Sequence, residues 1–274
     1  MEKTKIEQIE LDLLLEAIFR RYGYDFRQYS QASVRRRIQH HLVKTEFKTI
    51  SNLMSQILYD EGLFQALFFD MSVTVTEMFR DPWFYLTLRE KVIPFLKTFP
   101  FINIWQAGCA TGEEVYSLAI ILTEEGLYNR ANIYATDFND VALEKAKSRI
   151  YSLERIKEYT INYQKAGGDE SFADYYTAKY NAAIMSKSLN KNLVFAQHNL
   201  ATDHVFGEMN LIICRNVLIY FDKELQNRAV GLFHESLVRK GVLCLGSKES
   251  LKFTRYTDKF NEFNGKEKIY RKID

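Results

Sequence analysis

Glu113 and Glu114 follow a glycine-bearing loop, Gly108-Cys109-Ala110-Thr111-Gly112, and a further acid, Asp137, closes the apolar run Ile133-Tyr134-Ala135-Thr136. Upstream of the loop, Phe101 to Trp105 reads as a short strand; downstream, Thr111 and the acidic pair open a helix. Strand, glycine turn, helix, strand and terminal acid form the layout of a nucleotide-type cofactor site. Glycine admits a close backbone approach where a Cβ would collide, and a strand-end carboxylate can accept both hydroxyls of a ribose. The spacing Gly108-x-x-x-Gly112 is not the dinucleotide fingerprint. Acids at the helix start suit the positive end of the helix dipole but would repel a pyrophosphate. A ribose-bearing cation without phosphate fits better, and S-adenosylmethionine has those properties.

A second group of residues falls at the predicted carboxyl edge of the same sheet. Asn210 to Cys214 reads as a buried strand, which leaves Arg215-Asn216 at the edge where ligands of open α/β sheets bind. Tyr220 comes just before the next helix. Asn216 and Tyr220 serve equally well to satisfy a loop and its packing, and spacing does not choose between the two. Thr74, Thr76 and Arg80 lie on an extended stretch that could line the crevice, although an isolated arginine is commonly a surface ion pair. Asn199-Leu200 follows the strand Leu193–Ala196 and could meet an adenine ring, or be an ordinary loop amide and its neighbour. Cys214 has no histidine near it in sequence and reads as a buried thiol.

These residues need elements to hold them. Residues 6–70 read as helices, with Ile6, Ile9, Leu13, Leu14, Ala17 and Ile18 at helical spacing. Ser33 is expected to cap a second helix with Val34, Ile38 and Leu42 on one face, and Ser51 a third. Asp81-Pro82 starts another helix. The later chain alternates helix (Val141–Lys147, Asp222–Arg239) with strand (Leu193–Ala196, Asn210–Cys214, Val242–Leu245), which argues a mostly parallel sheet covered on both faces. Asn264-Gly265 predicts a terminal antiparallel hairpin with a two-residue turn. Residues from about 170 to 192 break the rhythm and read as a small antiparallel β insertion. The expected division is a helical domain over 1–72, a candidate for docking, and a Rossmann-like domain over 73–274. On the second helix Arg36, Arg37, His40 and Lys44 share one side. Ser33 to Lys48 holds five Lys/Arg against one acid, Glu46. That is either a solvated face or a dock for an acidic partner helix.

Three stretches together, Thr76-Glu77-Met78-Phe79-Arg80-Asp81, Gly108 to Ser117, and Cys214-Arg215-Asn216-Val217-Leu218-Ile219-Tyr220-Phe221, closely resemble the CheR chemotaxis receptor methyltransferases. The resemblance covers nearly the whole chain. It implies the class I S-adenosylmethionine-dependent methyltransferase fold, a Rossmann-like, mostly parallel seven-stranded sheet with a terminal antiparallel hairpin. It also implies methyl transfer from S-adenosylmethionine to glutamate side chains on cytoplasmic receptor helices, leaving S-adenosylhomocysteine. Carried over by motif, Thr74, Thr76, Arg80, Gly108, Glu114, Asp137, Asn199, Leu200, Arg215 and Asn216 would contact the cofactor, with Arg80 and Tyr220 facing the acceptor carboxylate. The sequence departs from the family at Thr74 (commonly Asn), Met78 (Phe), Val115 (Pro) and Lys248, which stands where a serine is expected.

Composition narrows the alternatives. With 274 residues, 47% of them hydrophobic, the chain can bury a sizeable core. A net charge of +2 argues against a nucleic-acid partner, and a base-methylating enzyme would carry an Asn/Asp-Pro-Pro-Tyr/Phe loop. Here the only prolines are Pro82, Pro94 and Pro100. A degenerate cofactor-binding scaffold is the non-enzymatic alternative, but it would have lost Arg80 or Tyr220. Three unpaired cysteines and a charged start lead to the expectation of a cytoplasmic protein. No apolar run is long enough to insert in a membrane, and the five scattered histidines lead us to expect no metal.

Overall fold

The structure is a computed structural model that describes residues 2–72 and 76–273. The chain folds as two compact units: Met1–Val73 with Ile219–Arg228, and Thr74–Leu218 with Ala229–Asp274.

The first unit is helical: α1 (Glu2–Tyr22), α2 (Gln31–Lys44), α3 (Ile50–Ile57) and α4 (Glu61–Met71). Its core is built on Leu11, Leu14, Leu15 and Ile18 of α1 with Ile38, Leu53, Ile57, Phe64 and Leu67. The expected α1 face is therefore rotated. Ile6, Ile9 and Leu13 are exposed, because Leu11-Leu14-Leu15-Ile18 offers a denser apolar stripe. Helix starts also shift. α2 begins after Ser30 rather than Ser33, and His41, not Leu42, is the third buried residue of its face. α3 is capped by Thr49, whose side chain accepts from the Asn52 N–H at 3.1 Å, leaving Ser51 inside the helix. Ile219–Arg228 joins this unit through backbone bonds. The Ser30 N–H donates to the Tyr220 carbonyl at 2.7 Å, and the Asp222 N–H donates to that of Gln28 at 2.9 Å.

The second unit carries the sheets. Its strands are β1 (Ile102–Ala107), β2 (Ala131–Asp137), β3 (Ile150–Ser152), β4 (Tyr176–Lys179), β5 (Ala182–Met185), β6 (Leu193–Gln197), β7 (Met209–Cys214), β8 (Leu237–Leu245), β9 (Phe260–Asn264) and β10 (Ile269–Lys272). Its helices are α5 (Pro82–Thr87), α6 (Ile93–Leu96), α7 (Glu113–Glu124), α8 (Asp140–Ser148) and α9 (Ile156–Lys165), with α10 (Lys223–Ser236) entering from the segment grouped with the helices. The main sheet runs β6-β2-β1-β7-β8-β10-β9. β6, β2, β1, β7 and β8 pair in parallel, and β10 is antiparallel to both its neighbours. The strand order reverses between β1 and β7, so the crevice for a ligand opens at their carboxyl ends. All six residues of β7 are buried, as a central parallel strand requires.

Three boundaries differ from the sequence reading. The small antiparallel sheet, β3-β5-β4, recruits Ile150–Ser152, so the insertion begins well before residue 170. α10 ends at Ser236, and Leu237 already starts β8. Apolar Leu237 and Val238 suit a strand as well as a helix, and the Lys240-Gly241 stop lies within that strand. The terminal hairpin is closed by four residues, 265–268, because pairing starts at Ile269 opposite Asn264.

Candidate active site

At the end of β2, Asp137 is 8% exposed. Its Oδ2 accepts from the Ala110 N–H at 2.8 Å and its Oδ1 from the Asn139 N–H at 2.9 Å. Burial pushes this carboxyl above the ordinary range, against the pull of those amides. The His198 N–H donates to the Asp137 carbonyl at 3.1 Å, which brings the Asn199–Leu200 turn to the same strand end. Leu200 is buried. The Asn199 Oδ1 accepts from the Ala201 N–H at 2.9 Å and so closes its own turn. Glu113 at the start of α7 is buried and takes a hydrogen bond from the Thr111 hydroxyl at 2.6 Å; its carboxyl too is raised, by burial.

The loop glycines have a different immediate reason from the one expected. Gly108 has φ +71°, and a Cβ added there would overlap Val217 Cγ2; one at Gly112 (φ +88°) would lie 2.8 Å from Ala146 Cβ. Protein side chains fill the room the glycines leave. Gly112 is also the residue before α7, a place expected of Thr111.

Glu114 collects three donors. Its Oε2 accepts from Gln106 Nε2 at 2.7 Å; its Oε1 accepts from the Tyr85 hydroxyl at 3.0 Å and from Arg215 Nη1 at 2.5 Å. Arg215 donates further to the Arg80 carbonyl (3.2 Å) and to Asp81 Oδ2 (2.6 Å), and its guanidinium carbon stands 4.1 Å from the Phe84 ring centroid. Its charged form is favoured by Glu114 in spite of full burial. Arg80 is half-buried between two residues with left-handed backbone, Phe79 (φ 54°) and Asp81 (φ 57°). Thr76 is half-buried, and its carbonyl accepts from Arg155 Nη1 at 2.8 Å. Thr74 lies outside the described residues.

Asn216 is also left-handed (φ 61°). Here the structure reveals an anchor that the sequence reading missed. Glu249, 4% exposed, accepts from the N–H groups of Gly246 (2.5 Å), Asn216 (3.1 Å) and Val217 (2.9 Å). An acid three residues beyond a post-strand glycine was the available signal. Lys248 beside it is exposed, while Met78 and Val115 are core residues, so the first of these departures is a surface change and the other two are packing changes.

The predicted docking set divides. Arg36 and His40 are exposed, and Lys44 is paired with Asp70 at 2.7 Å. The Arg37 guanidinium sits 5.0 Å from the centroid of the Tyr220 ring, within the helical unit.

The residues fit S-adenosylmethionine. Asp137, with up to four lone-pair sites, keeps acceptor capacity beyond its amide donors at Ala110, Phe138 and Asn139, as a ribose diol needs. The acids Glu113, Glu114 and Asp137 converge on one sheet edge, as a cation needs. The buried Gln106 Oε1 has no partner among the described residues, which leaves one more acceptor there. A sheet of this order with an acid ending its second strand defines a class I S-adenosylmethionine-dependent methyltransferase.

Comparison with known proteins gives the family. Residues 74–269 match the model "CheR methyltransferase, SAM binding domain", and residues 9–72 match "CheR methyltransferase, all-alpha domain". Cher3 of Pseudomonas putida is 52% identical over 272 residues, covering 99% of this chain and 100% of that one. A chemotaxis protein methyltransferase of Listeria innocua is 30% identical over 250 residues, covering 90% and 92%. The chain belongs to the CheR methyltransferase family. Among the described residues no helix is long and apolar enough to cross a membrane.

Proposed function

We propose that the protein transfers the methyl group of S-adenosylmethionine to glutamate carboxylates on cytoplasmic helices of chemotaxis receptors, forming methyl esters. The observation that carries this reading is the turn at residues 79–81. A half-buried arginine, Arg80, lies between two left-handed residues, Phe79 and Asp81, and its own carbonyl and the Asp81 carboxylate are tied to Arg215 after the end of β7. Such a turn offers a cation to an anionic acceptor. The relatives named as chemotaxis methyltransferases support the setting.

The chemistry asks little of the protein beyond alignment. A glutamate carboxylate has an ordinary pKa near ~4.3 and is ionised at neutral pH, so no general base is required. Bound S-adenosylmethionine supplies an electrophilic methyl on a sulfonium. Asp137 and the Asn199–Leu200 turn would hold the nucleoside end, and Glu114 and Asn216 would lie toward the amino-acid end. Arg80 would orient the acceptor oxygens, with Tyr220 carried over by motif as its companion. Excluding water from the acceptor and holding it in line are the remaining tasks. Exposed Arg36 and His40 of α2 would meet an acidic receptor helix.

The test is transfer of labelled methyl from S-adenosylmethionine to receptor cytoplasmic fragments, with nucleic acid as control and mass spectrometry to locate the esters. Label on glutamates is the expected result. Cofactor binding with no transfer to any receptor fragment would leave only the scaffold reading.

A further inference from the structure

From the surroundings of Arg215 we infer that it is a positioning residue for Arg80, not a cofactor ligand through its guanidinium. The inference rests on the reading above for what Arg80 does, but its geometry stands on its own.

The Arg215 side chain is 2% exposed. Nη1 donates both to Glu114 and to the Arg80 carbonyl, and Nη2 donates to Asp81. Phe84 covers one face of the guanidinium, and the Tyr85 centroid lies 5.7 Å away. Nε is buried and has no hydrogen-bond partner among the described residues. An arginine serving a ligand's carboxylate offers its fork to the ligand. This fork is already shared between two protein carboxylates and a carbonyl.

What the fork holds is one turn. Phe79, Arg80 and Asp81 are fastened in succession. The Phe79 N–H donates to the Ser117 hydroxyl at 2.9 Å, the Arg80 carbonyl accepts from Arg215, and the Asp81 carboxylate pairs with it. Phe79 and Asp81 both have positive φ, a conformation that side-chain-bearing residues keep only when their surroundings impose it. Glu114 fixes the other side of the fork and is itself fixed by Gln106 on β1 and Tyr85 on α5. The direction of Arg80 is thus set through its own backbone by a residue at the end of β7. A lysine at 215 would keep the charge but could not span Glu114, Asp81 and the carbonyl at once.

Three measurements on the full chain test this with Arg215→Lys and, because a buried change can harm folding, the half-exposed partner change Asp81→Asn. Calorimetry with S-adenosylhomocysteine should give affinities within about threefold of wild type. Hydrogen exchange should accelerate at least tenfold in residues 79–83 and stay unchanged in β2. Methyl transfer to a receptor fragment should fall at least tenfold in kcat with little change in the KM for cofactor, and the double variant should be no worse than the poorer single one. A tenfold loss of S-adenosylhomocysteine affinity in both variants, or exchange at 79–83 equal to wild type, would overturn the inference. If wild type binds S-adenosylhomocysteine but methylates no receptor fragment, the substrate reading fails by itself, and affinity and exchange still decide the role of Arg215.

Discussion

Replacing Glu249 tests whether the cofactor edge is held by one buried carboxylate. Its two oxygens take the N–H groups of Gly246, Asn216 and Val217 at 2.5, 3.1 and 2.9 Å. Glu249→Ala would orphan four amide donors, since the Leu218 N–H also reaches this carboxylate. At about 1–3 kcal/mol for each buried unsatisfied donor, the gross loss is about 4–12 kcal/mol. Against that, removing the carboxylate relieves its own burial, which already raises its pKa. Taking the net loss at the upper end of single-substitution effects, about 2–3 kcal/mol, the melting temperature falls by roughly 4–12 °C at about 2–4 °C per kcal/mol. Glu249→Gln keeps one acceptor oxygen but sets an NH2 group against an N–H, so it should fall between wild type and the alanine variant. The assay is urea unfolding with an unchanged m-value, alongside S-adenosylhomocysteine calorimetry, since Asn216 and Val217 sit at the cofactor edge. The pH dependence has a definite sign. The folded pKa is raised, so the folded state prefers the protonated acid. Stability therefore falls as pH rises from the ordinary carboxylate value of 4.5 toward the raised one, and Glu249→Gln removes that part of the slope. An alanine variant within about 0.5 kcal/mol of wild type, the range of an ordinary surface change, would refute the anchoring argument.

Arg80→Ala should lower methyl transfer far more than cofactor affinity; equal losses, by turnover and calorimetry, would make Arg80 a cofactor ligand only. Because burial raises Asp137, protonation should erode S-adenosylhomocysteine affinity at a pH above the usual carboxylate range. The loss should grow as pH falls, and Asp137→Asn should bind weakly with a flat profile. Gly108→Ala drives a Cβ into Val217 Cγ2 at φ +71°. It should destabilise the fold in thermal melts, with Val217→Ala recovering part of the loss by relieving the clash but not the backbone strain.

The strand pattern around the site was legible because a parallel sheet writes itself as apolar runs ended by polar residues, as at Asp137 and Arg215. The N-terminal helices were legible as helices but not in phase. α1 contains two overlapping apolar stripes, and packing against α3 selects the one through Leu11 and Ile18. β3 was missed because Ile150–Ser152 is three residues long and gains its identity only by pairing with Ala182–Ile184. The partners of Glu249 and the occupied fork of Arg215 could not be read, although the acid three residues beyond Gly246 marks the position. Each depends on hydrogen bonds to residues more than thirty positions away, which no local pattern encodes.

The two arginines show why this site separates holding from touching. In methyl transfer from a sulfonium to a carboxylate, opposite charges meet and vanish, so the transition state carries less charge than the reactants. A cation gripping the acceptor as tightly as Arg215 grips Glu114 would stabilise the reactant most and slow the step. The firm grip is placed one layer back, on the Arg80 carbonyl and the Asp81 carboxylate. Arg80 remains half-buried, where solvent weakens its pull. An Arg80→Lys variant that keeps its KM for receptor but loses kcat would show that the direction of the charge, more than its presence, sets the rate.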